Sequence, residues 1–151
     1  RYVQIFIEGQ IWDTHAKNAA TTRTCCERTD QPTAALLKDL KQRGLLDSTL
    51  VVMMGEMGRT PRVNAQAGRD HWSMAQCILF AGGGVKPGQI IGATDKQAAY
   101  PTSDPISVAD LLRTIHTLLG IDAETGAPVE FDRVQLCTVR RDKDNTVTLV
   151  G

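Results

Sequence analysis

The chain has 151 residues, 42% of them hydrophobic, with 17 basic and 17 acidic side chains. That length suits one domain, and the balanced charge excludes capture of nucleic acid or an anionic membrane by bulk electrostatics. No apolar run approaches the ~18 residues needed to span a bilayer, so no transmembrane segment is expected. The chain opens without Met and reads as a strand from Tyr2. It is therefore expected to be a partial or processed chain, and its lack of a signal peptide leaves the compartment open.

Residues 2–8 are β-branched and aromatic and predict a first strand, ended by Gly9. Residues 11–26 read as a polar connection. Asp30 as N-cap and Pro32 in the first turn predict a helix over about 31–43, with Ala35, Leu36, Leu37 and Leu40 as its apolar stripe and Gly44 at its C′ position. Asp47 and Ser48 turn the chain into an apolar run at 49–54, expected to be a buried parallel strand. Residues 55–75 read as a long loop, a length that is usually functional or disordered. A strand is expected at 76–81, with Cys77 as a small buried hydrophobe. The triple glycine after it matches no phosphate-loop spacing and reads as a turn. Ser107 should cap a second helix over about 107–119, stopped by Gly120. A weak strand is expected at 129–136 and a hairpin at 138–150, turning at 142–145. The order of elements predicts an α/β fold with a mostly parallel sheet flanked by helices. Cys25 and Cys26 form no C-x-x-C pair and read as two thiols near a helix start.

Three features carry chemistry. Asp13 and His15 are two apart, so in extended backbone they point to the same side and can share a cation. Their oxygen and nitrogen donors suit zinc, manganese or iron. Glu56 follows the run at 49–54 and would sit at a carboxyl end of the sheet, where ligands bind in open α/β folds. Asp70 and His71 lie in the long loop, where the acid either binds metal or orients the ring. Arg59 and Arg69 either grip an oxyanion or pair with Glu56 and Asp70.

The segments Trp12-Asp13-Thr14-His15, residues 30–50, Gly55-Glu56-Met57-Gly58-Arg59-Thr60-Pro61 and Gly68-Arg69-Asp70-His71-Trp72 resemble an uncharacterised, sulfatase-like bacterial family. Ala81-Gly82-Gly83-Gly84-Val85 and Gly92-Ala93-Thr94-Asp95 extend the resemblance, which covers residues 1–122. Its members carry a domain of unknown function beside the sulfatases of the alkaline-phosphatase superfamily. The resemblance implies an alkaline-phosphatase-like α/β domain of which residues 1–122 are the C-terminal half, with 123–151 as a tail. It implies a metal-dependent hydrolase of sulfate or phosphate esters that uses zinc, calcium or manganese. Asp13, His15, Glu56, Asp70 and His71 would be its metal ligands, and Arg59 and Arg69 would bind substrate. Met57 stands where the superfamily has a ligating His. The nucleophile is expected upstream of Arg1, so this chain alone should turn over little or no ester. A small-molecule or glycan ester is the implied substrate, export to the periplasm or medium the implied location, and an uncovered sheet edge would favour self-association. The alternative is a non-catalytic module on the same fold that binds a glycan or a protein.

Overall fold

The computed structural model describes residues 2–7, 9–122, 124–125, 136–141 and 147–150, the last two segments by their backbone. Nine strands and two helices follow in the order β1 (Tyr2–Ile5), α1 (Asn18–Gln42), β2 (Val51–Met53), β3 (Gly58–Arg59), β4 (His71–Trp72), β5 (Leu79–Ala81), β6 (Ala93–Thr94), β7 (Pro101–Ser103), α2 (Val108–Leu118), β8 (Leu136–Arg141) and β9 (Val147–Val150). A 3₁₀ turn, Leu46–Ser48, links α1 to β2.

The mostly parallel, helix-flanked sheet expected from the sequence is absent among the described residues. β2 pairs with β5 antiparallel, Val52 opposite Phe80, and the β3–β4 and β6–β7 pairs are antiparallel as well. β1 lies in a separate sheet of order β1-β8-β9, parallel to β8, which pairs antiparallel with β9. This is not an alkaline-phosphatase-like α/β fold. The physical reason lies in the connection. Parallel neighbours need a crossover of a dozen or more residues, usually a helix. Between β2 and β5 the chain forms only loop and the short β3–β4 ladder, and it returns antiparallel. Nor are these strands buried on two faces: Val51 and Val52 are half-buried, while Met53, Met54 and Leu79 are exposed. Cys77 is exposed too and precedes β5. The weak strand expected at 129–136 falls outside the described residues up to 135, as does the turn at 142–145.

The first helix is twice as long as its sequence signals suggest. It begins at Asn18, and Pro32 lies within it rather than at its start. The front half lacks an apolar stripe and is held by other means. The backbone N–H groups of Lys17 and Asn18 donate to the carbonyls of Gln66 and Ala67 at 3.0 and 2.9 Å, which satisfies donors that a helix start leaves free. Cys25 is buried, and its Sγ donates to the carbonyl of Ile11. Both helices end in the same device. Gly44 (φ 67°) and Gly120 (φ 72°) take the left-handed C′ position. Leu45 N–H then reaches Leu40 O, and Ile121 N–H reaches His116 O, each at 2.8 Å. Ser107 caps α2 in a reciprocal box with Asp110. The apolar face of that helix is left largely open, with Val108 70% and Leu112 50% exposed.

Candidate metal centre

Two distant segments build the site. The first is the stretch from Asp13 to Lys17. Thr14 is buried and donates through Oγ1 to Asn18 Oδ1 at 2.6 Å. Its neighbours Asp13 and His15 are exposed and come together at one point. The second is the β3–β4 ladder, in which Arg59 stands directly opposite His71. Directly opposed residues of an antiparallel pair share a face, and both side chains reach Asp13. His71 Nε2 lies 3.0 Å from Asp13 Oδ1, and Arg59 Nη2 donates to the same oxygen at 2.7 Å.

The segments are locked by backbone. Arg69 N–H donates to Thr14 O at 3.0 Å, beside the contacts of Lys17 and Asn18 with residues 66 and 67. Gly68 sits at the seam. A Cβ there would lie 1.9 Å from His15 O, so only glycine lets the two backbones approach this closely. Asn64 closes the assembly. Its Nδ2 donates to His15 O at 3.0 Å and to both oxygens of Asp70 at 3.2 and 3.3 Å, while its Oδ1 accepts from Gln66 N–H and Gly68 N–H.

At the centre, one donor atom each from Asp13, His15 and His71 lie within 4.8 Å of one another. His15 Nε2 is 3.1 Å from Asp13 Oδ1, and the two imidazole rings are 4.8 Å apart, tilted by 46°. Donor atoms held 2.0–2.2 Å from one tetrahedral metal lie roughly 3.3–3.6 Å apart, and the two nitrogen–oxygen separations, 3.0 and 3.1 Å, are a few tenths of an ångström shorter. The other nitrogen of His15, Nδ1, is 2.8 Å from Asp70 Oδ1. A carboxylate only accepts, so Nδ1 carries the proton. In the neutral ring the Nε2 lone pair then faces Asp13 Oδ1. Asp13 Oδ1 is already engaged by Arg59 and His71, so Nε2 is left as a free acceptor.

The electrostatics agree with an ionised site. Hydrogen bonds from His71, then from Arg59, hold the Asp13 carboxyl down at about 2 against an ordinary 3.8. The His15 and Asn64 hydrogen bonds lower that of Asp70 in turn. Both carboxylates are charged at neutral pH, Asp13 against the Arg59 guanidinium.

Of the residues expected at the metal, Asp13, His15 and His71 converge. Asp70 touches His15 instead and stands behind it. Glu56 is outside the group: it is exposed, and it lies in the bend at residues 56 and 57 that follows the end of β2 at Met53. Arg59 binds Asp13, the Trp12 carbonyl and the Arg69 carbonyl rather than Glu56. Arg69 is committed to the carbonyls of Thr60 and Pro61 at 2.7 and 2.9 Å, which leaves it a loop-tying role. Asn64 went unnoticed in the sequence, where nothing marks a lone Asn in a loop as the bridge between segments 49 residues apart.

A family model described as "Protein of unknown function (DUF1501)" matches residues 1–138. The chain belongs to that family. The match establishes a DUF1501 domain and carries no indication of sulfatase-like or alkaline-phosphatase membership. No curated protein and no solved structure matches this DUF1501 chain. No helix among its described residues is long and apolar enough to cross a membrane.

Proposed function

We propose that this DUF1501 chain holds a divalent metal ion between Asp13, His15 and His71 and serves in metal-dependent hydrolysis of sulfate or phosphate esters. The observation that carries the reading is the convergence of three donor atoms from segments 58 residues apart in sequence. One carboxylate and two imidazoles suit zinc, manganese or iron. Structural zinc sites are closed by four protein ligands, whereas catalytic ones keep a position open. Here three donors converge on a solvent-facing surface, the side chains of His15 and His71 being 47% and 48% exposed. A bound metal would polarise the ester oxygen and stabilise the charge that develops on it.

The protein's own groups have definite tasks. With a metal bound, Asp13 would supply negative charge and His15 and His71 neutral nitrogens, His71 giving up the hydrogen bond between its Nε2 and Asp13, while Arg59, committed to Asp13 and to the carbonyls of Trp12 and Arg69, holds Asp13 in place. The hydroxyls beside the ligands are both occupied. Thr14 Oγ1 is buried on Asn18, and Thr60 Oγ1 donates to Arg62 O while accepting from Asp70 N–H. Neither serves as a nucleophile, so slow or absent turnover by this chain alone is expected. The choice of ester class rests on the motif resemblance. Oxyanion binding tests it without requiring turnover. In calorimetry, inorganic phosphate or sulfate should bind only after zinc or manganese is added, and His71→Ala should abolish that binding. Metal uptake with no oxyanion binding would refute the hydrolase reading.

A further inference from the structure

We infer that Asp70 is a positioning residue for the metal centre: it fixes the tautomer of His15, and Asn64 holds it in place to do so. The inference rests on the metal-centre reading, but its own evidence is independent of any ion. Asp70 Oδ1 lies 2.8 Å from His15 Nδ1, across 55 residues of sequence. No carboxylate in the described residues bonds His71 through a second nitrogen, so this arrangement distinguishes the two imidazoles. An isolated imidazole populates both neutral tautomers. Only the Nδ1–H form offers its Nε2 lone pair, and Nε2 is the His15 atom that faces Asp13.

Asp70 is itself over-determined. Its two oxygens receive Nδ2 of Asn64, its backbone N–H donates to Thr60 Oγ1 at 3.0 Å, and its backbone carbonyl accepts from Thr60 N–H at 2.8 Å. The same Asn64 nitrogen also binds the His15 carbonyl, so one amide sets both the main chain of His15 and the carboxylate that grips its ring. A carboxylate held from two sides has little freedom to swing round and become a ligand. Carboxylate–imidazole–metal relays of this kind raise ligand basicity, and losing the outer partner typically costs 10–100-fold in metal affinity.

The test reads His15 in the protein without metal. Two-dimensional ¹⁵N–¹H NMR of the imidazole nitrogens at pH 7.5 should show protonated Nδ1 and bare Nε2. In Asp70→Ala the ring should redistribute toward Nε2–H while His71 keeps its spectrum. Asp70→Asn, whose amide oxygen still accepts, should restore most of the wild-type pattern. Zinc affinity should fall about 10–100-fold in Asp70→Ala and recover in Asp70→Asn. A dispersed amide spectrum identifies folded variants, and Asn64→Asp serves as a second variant that removes the clamp but keeps the size. An unchanged His15 tautomer in Asp70→Ala overturns the inference, as does a wild-type ring that carries its proton on Nε2. Failure of the wild-type chain to bind zinc refutes the metal-centre reading instead, and the tautomer data then judge Asp70 by themselves.

Discussion

Replacing Gly68 by Ala should dismantle the centre from a position that touches no donor atom. The new Cβ would meet His15 O at 1.9 Å, His15 C at 2.1 Å and Ala16 N at 2.5 Å. All three are backbone, so no rotamer change relieves the clash. Gly68 does not have a positive φ, so the penalty is steric alone. Ordinary contact begins at 3.4 Å, which requires the segments to part by 1.5 Å. That movement would stretch four bonds now at 2.9–3.0 Å: Arg69 N–H to Thr14 O, Lys17 N–H to Gln66 O, Asn18 N–H to Ala67 O, and Asn64 Nδ2 to His15 O. At roughly 0.5–1.5 kcal/mol net for each, the docking loses on the order of 2–6 kcal/mol. Metal–ligand distances tolerate only about ±0.2 Å, so His15 leaves the centre. Zinc calorimetry and thermal melting read the two effects together, with Gly55→Ala as control, where a Cβ finds only Met57 O at 3.9 Å. A Gly68→Ala chain that binds zinc like the wild type and melts at the same temperature would refute the reasoning.

Three further outcomes are expected. Glu56→Gln should leave zinc affinity within twofold of wild type, since Glu56 lies outside the donor group; a tenfold loss would return it to the ligand set. Ser107→Ala removes the acceptor for Asp110 N–H and a donor to its carboxylate, and should destabilise α2 by about 1 kcal/mol, read as faster amide exchange over residues 108–118. The Ser107 hydrogen bonds hold the Asp110 carboxyl below its ordinary 3.8 in the folded chain. A depressed carboxyl stabilises the fold above the unfolded value, so the cap should be at full strength above about pH 4. It should fade as the pH falls below that, and the Ser107→Ala chain, which keeps only the backbone N–H of residue 107 on Asp110, should show a smaller acid dependence; an identical acid response in both chains would contradict it.

The three residues that converge, Asp13, His15 and His71, were legible as candidates in the sequence because their chemistry is local. Asp13 and His15 stand two apart, and His71 follows an acid in a loop too long to be a simple turn. Glu56, which lies outside the group, was placed at the site by the assumption of a parallel sheet. An apolar run such as 49–54 is consistent with a doubly buried strand, yet its burial depends on what covers it, and Met53 and Met54 are exposed. With the parallel sheet removed, the carboxyl-end argument for Glu56 goes too. The early start of α1 was hidden by Pro32 and by a polar front half that is anchored by the loop carbonyls of Gln66 and Ala67, contacts no helical periodicity encodes. The pairing of Arg59 with His71 was equally hidden, because register between two-residue strands leaves no pattern in the chain. Ser107, Gly44 and Gly120 cap as expected because they act through neighbours within a few residues, whereas Asp30, expected as an N-cap, lies inside α1, whose cap is Lys17.

The most direct test of the metal centre is a cobalt(II) titration of the metal-free chain followed by visible absorption. One equivalent should bind per chain, with ligand-field bands that report mixed nitrogen and oxygen coordination, and His15→Ala and His71→Ala should each abolish the bands. Absence of saturable binding, or bands that persist in both variants, would show that Asp13, His15 and His71 form a hydrogen-bonded cluster and not a metal site.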